Sequence, residues 1–406
     1  MTRCPFPFHD RPGVSLDADY LAAYRGEPLI PVTLKNGAEA LLVTRYADVK
    51  TVLSDARFSR QAWKGGTLFA RETSALALVT SDAPLHTRRR RAVQAAFTVS
   101  QAERDRPRIA QIAESLLDAI DAPAGRFDLI ASYTQPFPYL VICEMLGLPK
   151  QDISRFLPWV ETMMSAGRFT PEATAEAHRN MYDYFGSLLR DKQQRLARGE
   201  PHDGLLMRLL DAHQPRDDEE NPDQPLSFEE LTVLAFGMMM AGGETTTNHL
   251  ALCVCEVLRD PALAARLQRE PERIPDAVEE LLRWTWFVMT GGQPHVALED
   301  VALSCGTIRA GQVVIPLTDA ANRDPAAFGD ADTFRIDRTP NRHLGFGIGR
   351  HMCLGAPHAR VELQEGLDAL LRRFPRLELA LPEAELPWRS GMFMRGIWQL
   401  PVQVLP

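Results

Sequence analysis

HLGFGIGRHMCLGAPHARVE, residues 343–362, decides the reading of the whole chain. It reads as an irregular glycine-rich loop running into a helix. Gly345, Gly347, Gly349 and Gly355 permit positive φ and let the backbone approach a bulky object closely. Cys353 stands just before the helical run that carries Ala359, Arg360 and Glu362. A cysteine there feels the positive end of the helix dipole, which favours the thiolate. A thiolate held under an apolar aromatic, Phe346, suits a soft metal. Taken alone, a cysteine beside a Gly-x-Gly string is usually a small buried residue at a turn.

Of 406 residues, 45% are apolar and 24% charged, the composition of a globular protein rather than a disordered or membrane-embedded one. The net charge of −8 argues against a general nucleic-acid binder. Cysteines at 4, 143, 253, 255, 305 and 353 contain no CxxC pair, so the spacing gives neither a disulfide frame nor a zinc site and fits a reducing cytoplasm. The opening MTRCPFPFHDRPG places charges and prolines where a signal peptide or anchor needs an apolar run. The most apolar long segment, Leu231–Leu258, is interrupted by Glu244, Asn248, His249 and Glu256 and reads as a buried helix, not a membrane span. The expectation is a cytoplasmic protein without a membrane anchor, folded as one domain over 1–406.

Residues 16–25 predict a short helix, and Asn36-Gly37 between LIPVTL and AEALLVT predicts a hairpin. No clean strand pattern follows until after residue 290. Residues 59–80 read as a long loop. A helix is predicted over Asp82–Phe97 with Pro84 in its first turn. On its wheel His86 and Arg90 lie about 40° apart, while Arg88 and Arg91 point elsewhere. Residues 101–215 are rich in 3.6-residue periodicity. Ser227 with Glu230 forms a capping box that opens a helix of about 30 residues. Its middle, AGGETTTNH, breaks the pattern of a buried helix and marks a kink or a close helix crossing. Glu280 and Arg283 are three apart on a further helix and can pair.

FGIGRHMCLG, residues 346–355, matches at every defined position the Phe-Gly-x-Gly-x-x-x-Cys-x-Gly loop of the cytochrome P450 family. The chain resembles that family over essentially its whole length. His86-x-x-x-Arg90, Ala241-Gly242-Gly243-Glu244-Thr245, Glu280-x-x-Arg283 and His295-Val296-Ala297-Leu298-Glu299-Asp300-Val301 follow the family's motifs in the family's order. The resemblance implies a mainly α fold with small β-sheets, the cytochrome P450 fold. It implies haem b as cofactor, with iron on Cys353 and with Phe346, Gly347, Gly355, Ala241 and Gly242 around it. His86, Arg90 and His351 match propionate contacts. His295 stands where the family pattern has arginine, a departure that makes this part of the clamp the least secure. Glu244 and Thr245 match the proton-supplying acid and hydroxyl, and Glu280 with Arg283 matches a structural pair.

The same resemblance implies a haem-thiolate monooxygenase, a monomer. It would use O2 and two electrons from a ferredoxin and its reductase, ultimately from NAD(P)H. Arg88, Arg91, Arg342, Arg350 and Arg360 are candidates for the docking face. Trp63, Leu68, Phe69, Met164, Met239, Phe287, Val288, Met289 and Met392 are candidate contacts for an apolar or aromatic small molecule of secondary metabolism. Two alternatives stand beside this reading: a peroxide-driven peroxygenase, and a non-catalytic P450-like helper protein. Cys353, Glu244 and Thr245 are all present, against the latter.

Overall fold

The computed structural model describes residues 4–9, 11–65, 74–120, 125–212 and 225–405, and in it a helix of 31 residues runs from Phe228 to Leu258. The capping box forms as the sequence predicts. Ser227 Oγ accepts the Glu230 N–H, and the Glu230 carboxylate accepts the Ser227 N–H at 2.9 Å. The helix stays unbroken through Ala241–His249. Its glycines serve a crossing rather than a kink. A Cβ on Gly243 would come within 2.5 Å of the Tyr139 ring, and one on Gly242 within 3.0 Å of Ile142. Helix Pro136–Leu146 therefore lies against the long helix at a distance only glycine permits.

Thirteen α-helices occur among the described residues, and two apolar cores flank the long helix. One core joins its C-terminal half (Leu250, Val254) to helices Val99–Asp118, Ile274–Trp284 and Ala356–Arg373 through Ile109, Ile112, Leu281, Leu367 and Leu370. The other joins its N-terminal half (Phe236) to helices Ile153–Met163 and Pro171–Ala197 through Phe156, Met181 and Phe185. The cleft described below lies where these halves meet.

Strands Cys4–Phe6, Leu29–Leu34, Glu39–Val43, Val313–Pro316, His295–Ala297 and Phe58–Ser59 lie side by side in that order. The Asn36-Gly37 hairpin pairs Leu29 with Val43, and Gly37 takes φ +81°. Cys4–Phe6, Phe58–Ser59 and Arg126–Asp128 are strands ahead of residue 290 that the sequence does not announce. Two or three residues are too few for alternation to register. The helix expected from Asp82 begins at Leu85, with Pro84 outside it at the N-cap, and a 3₁₀ turn covers Ala95–Phe97. Phe58 pairs antiparallel with Ala297 and Ser59 with Val296. The next residue of each chain in that register places Arg60 opposite His295.

Candidate active site

A buried ion pair holds the segment that leads into the Cys353 loop. Arg283 donates to both carboxylate oxygens of Glu280 at 2.7 Å, and both side chains are fully buried. Glu280 also accepts from Arg338, the Arg335 N–H and Asn341. Arg283 donates onward to the carbonyls of Asn322, Ala331 and Thr333.

The neighbouring Glu279 ties down both ends of the loop. Its carboxylate meets His343 Nε2 at 3.0 Å and takes two hydrogen bonds from Arg360, at 2.6 and 3.0 Å. Burial pushes this carboxyl up, but the His343 and Arg360 hydrogen bonds outweigh it and hold it at about 2. Because the folded value lies below that of the unfolded chain, the stabilisation is present above about pH 4.5 and is lost as pH falls toward 2. Glu279→Gln should lack this contribution, so its stability should fall less than wild type's between those limits. Urea midpoints measured at pH 5 and pH 3 check this; parallel losses in the two proteins would contradict it.

Within the loop the Cys353 N–H donates to the Phe346 carbonyl at 2.8 Å. Gly347 and Gly349 take positive φ, +66° and +77°. Gly345 and Gly355 do not, contrary to the expectation for them. Gly345 instead packs against the Leu282 carbonyl, which a Cβ would approach to 2.8 Å, and Gly355 is the N-cap of helix Ala356–Arg373. Burial raises the Cys353 thiol above its ordinary value, while the Gly355 N–H, Arg90, the Ala356 N–H and Arg360 pull it down. The helix end is felt, as expected, but burial outweighs it. A metal cation on the sulfur would complete the balance.

Cys353 opens onto a cleft made of two joined cavities of about 250 and 330 Å3. Both are lined by Cys353, His351 and Thr245, and the larger also by Ala241, Met164, Met238, Met240, Leu234 and Phe393. Phe346, Gly347, Phe287 and His295 line the smaller, and Val288 lines both. A larger cavity of about 730 Å3 lies elsewhere, around Arg108, His202 and Arg208. It touches neither Cys353 nor Thr245, so its size carries no weight here.

His86 and Arg90 share one face and both reach the cleft, with the His86 ring 4.2 Å from that of His351. Burial, with His351 and Arg90 nearby, pushes His86 down to about 4. His86 Nε2, His295 Nδ1 and His351 Nε2 are buried without a hydrogen-bond partner. The nearest carboxylate to His351 is Asp82, at 3.8 Å.

Several expectations are corrected. Thr245 faces the cleft, but Glu244 does not. Its carboxylate is buried on the far side, taking hydrogen bonds from Arg389 at 2.5 Å, Asn248 at 3.0 Å and Tyr139 at 3.4 Å. Adjacent helical residues point about 100° apart, and the buried Arg389 cation holds the acid. Gly242 faces Ile142, not the cleft. Met239 turns into the core while Met238 and Met240 line the cavity. Met289 packs with the N-terminal aromatics and accepts from Arg395, and Met392 is likewise core, with Phe393 and Met394 in its place. Trp63 is half-buried outside the cleft lining, and Leu68 and Phe69 lie outside the described residues. Arg88, a candidate for the docking face, is engaged within the fold. With Arg89 it binds Glu230, and it donates to the Pro225 carbonyl. Arg360 is occupied by Glu279 and stacks over Phe346 at 4.7 Å.

Comparison with known proteins agrees with this geometry. The cytochrome P450 family profile matches residues 32–389. The chain is 42% identical over 98% of both chains to a mycinamicin IV hydroxylase/epoxidase of Micromonospora griseorubida. It is 37% identical over 98% of both chains to a nocardicin C N-oxygenase of Nocardia uniformis. Among solved structures, a cytochrome P450 with biaryl coupling reactivity superposes with a TM-score of 0.89 at 33% identity, covering 99% of this chain and 100% of the other. The chain belongs to the cytochrome P450 family, and its fold is the P450 fold. It is a P450 monooxygenase, and haem is that family's cofactor. The cleft fits such a group: a sulfur at its floor, apolar walls, and a rim where the Arg90 guanidinium sits with buried imidazole nitrogens that lack partners. No helix among the described residues is long and apolar enough to cross a membrane.

Proposed function

We propose that this chain is a single-domain, cytoplasmic haem-thiolate monooxygenase that uses O2 and two electrons from a ferredoxin and its reductase to oxidise a bulky, largely apolar secondary metabolite. Haem, when bound, supplies the oxygen activation and the oxidising power. Cys353 supplies an anionic sulfur ligand that strengthens that chemistry. His86, Arg90 and His351 hold the propionate edge. The observation that carries the reading is the placement of the Thr245 hydroxyl and Cys353 in one cleft walled by Met164, Met238, Met240 and Met394.

Thr245 Oγ1 donates to the Ala241 carbonyl at 2.5 Å, which leaves its lone pairs free to accept a proton donor from the cleft and pass a proton on. Glu244 replenishes it when its side chain leaves Arg389. Flexible thioether walls suit an irregular apolar substrate, and Gln293 offers a polar handle at the wall. The relatives named above are described by hydroxylation or epoxidation, N-oxygenation and biaryl coupling, so substrate pose sets the outcome within one class of chemistry.

Thr245→Ala should keep oxygen consumption within about threefold of wild type while most of the reducing equivalents appear as hydrogen peroxide, the loss of one proton-transfer group. The ratio of product to NAD(P)H consumed measures this, with a substrate identified by its spin-state shift. Tight coupling in the variant would remove Thr245 from the relay. The turned-away Glu244 favours a second reading, peroxide-driven oxygenation, which needs no relay. Turnover with peroxide alone as fast as with redox partners would establish it.

A further inference from the structure

Beside His295, which stands where the family pattern has arginine, the adjacent strand leads into an arginine. Extending the register of Phe58–Ser59 against Val296–Ala297 sets Arg60 opposite His295, and Arg60 Nε donates to His295 Nε2 at 3.2 Å. His295 Nε2 is therefore an acceptor, and the proton of this buried ring is on Nδ1. Burial and the nearby Arg60 cation both keep the ring neutral. His295 is thus unsuited to the ionic role that arginine plays at this position.

Arg60 suits it. Its side chain lines both halves of the cleft, with His351 and Cys353. Its other hydrogen bond, from Nη1 to the Val79 carbonyl, is long at 3.4 Å. Among the described residues Nη2 has no hydrogen-bond partner, and Arg60 makes no ion pair with a carboxylate. Asp82, the acid beside it, spends its oxygens on Ser59 and on the backbone N–H groups of Arg60 and Gln61. A desolvated guanidinium with unmatched N–H groups is costly unless a carboxylate meets it. A guanidinium also matches a carboxylate with two parallel hydrogen bonds, which an imidazole cannot do.

We propose that Arg60, oriented by its hydrogen bond to His295, takes one haem propionate in this chain in place of the arginine that position 295 lacks. The inference rests on the haem-binding reading above. His295 is then a positioning residue: it accepts the Arg60 Nε–H and aims the terminal N–H groups into the cleft.

Haem transfer from substrate-free holoprotein to excess apomyoglobin tests this without any turnover. Arg60→Ala should release haem about tenfold faster or more, the size of one charge-assisted hydrogen bond. Arg60→Ala combined with His295→Arg should return most of that retention, because a guanidinium is restored from the neighbouring strand. That rescue also separates a local effect from misfolding. Wild-type release from Arg60→Ala, or a double variant as leaky as the single one, would overturn the proposal. So would unchanged haem release accompanied by weakened binding of a carboxylate-bearing ligand in a spin-state titration, which would assign Arg60 to substrate instead. A wild-type protein that takes up haem without the spectrum of a thiolate ligand would sink the functional reading itself, whatever Arg60 does.

Discussion

Cys353→Ser should abolish product formation, to background, while leaving the protein folded. In the loop the cysteine N–H donates to the Phe346 carbonyl, which serine keeps, and a serine oxygen can accept from the Gly355 and Ala356 N–H groups that face the sulfur. Its side chain opens onto the cleft rather than filling the core, so no cavity forms. The stability change should stay within about 0.5 kcal/mol, as for substitutions outside the core. What is lost is the soft anionic ligand, since a serine hydroxyl does not ionise near neutral pH and is a poor partner for this chemistry. Product formation with saturating redox partners, set beside a thermal melt, checks both halves. Turnover near the wild-type rate would remove Cys353 from the mechanism.

Glu280→Ala should produce the largest loss of stability of any single substitution considered. It removes the carboxylate that faces Arg283 and Arg338, and it strands the Arg335 N–H and Asn341 as well. Breaking a buried pair by deleting one partner costs about 3–5 kcal/mol, because the remaining charge stays buried. A folded domain has only about 5–15 kcal/mol in total. The variant should therefore yield little soluble protein, or unfold at a much lower urea concentration. Glu280→Leu with Arg283→Met should be less destabilised than Glu280→Ala, since no charge of that pair is left alone. A Glu280→Ala midpoint equal to wild type's would show that the knot is not structural.

What the sequence revealed was local. The capping box at Ser227, the hairpin at Asn36-Gly37 and the shared face of His86 and Arg90 each depend on residues within a few positions of one another. Features hidden in the sequence depend on contacts far apart in the chain. Glu279 reads as the residue before a better-known pairing partner, yet its own partners are His343 and Arg360, 64 and 81 residues on. Arg60 is unremarkable until strand register sets it against His295, 235 residues away. Arg389, which fixes Glu244, is 145 residues from it. Counting back four and seven residues from Thr245 reaches Ala241 and Met238 on one helical face. Met239 and Met240 lie about 120° and 140° from it, so only tertiary packing brings Met240 to the cavity and leaves Met239 in the core. Glu244 points about 100° from Thr245, and its hydrogen bond from Arg389 is what keeps it turned away from the cleft.

The position of the Soret band of the reduced, carbon-monoxide-bound protein tests the central claim most directly. If Cys353 ligates haem iron as a thiolate, freshly prepared protein should show the strongly red-shifted band of thiolate ligation, and Cys353→Ser should lose it. A wild-type band at the shorter wavelength typical of histidine-ligated haem, in protein that is folded and fully loaded, would contradict the account.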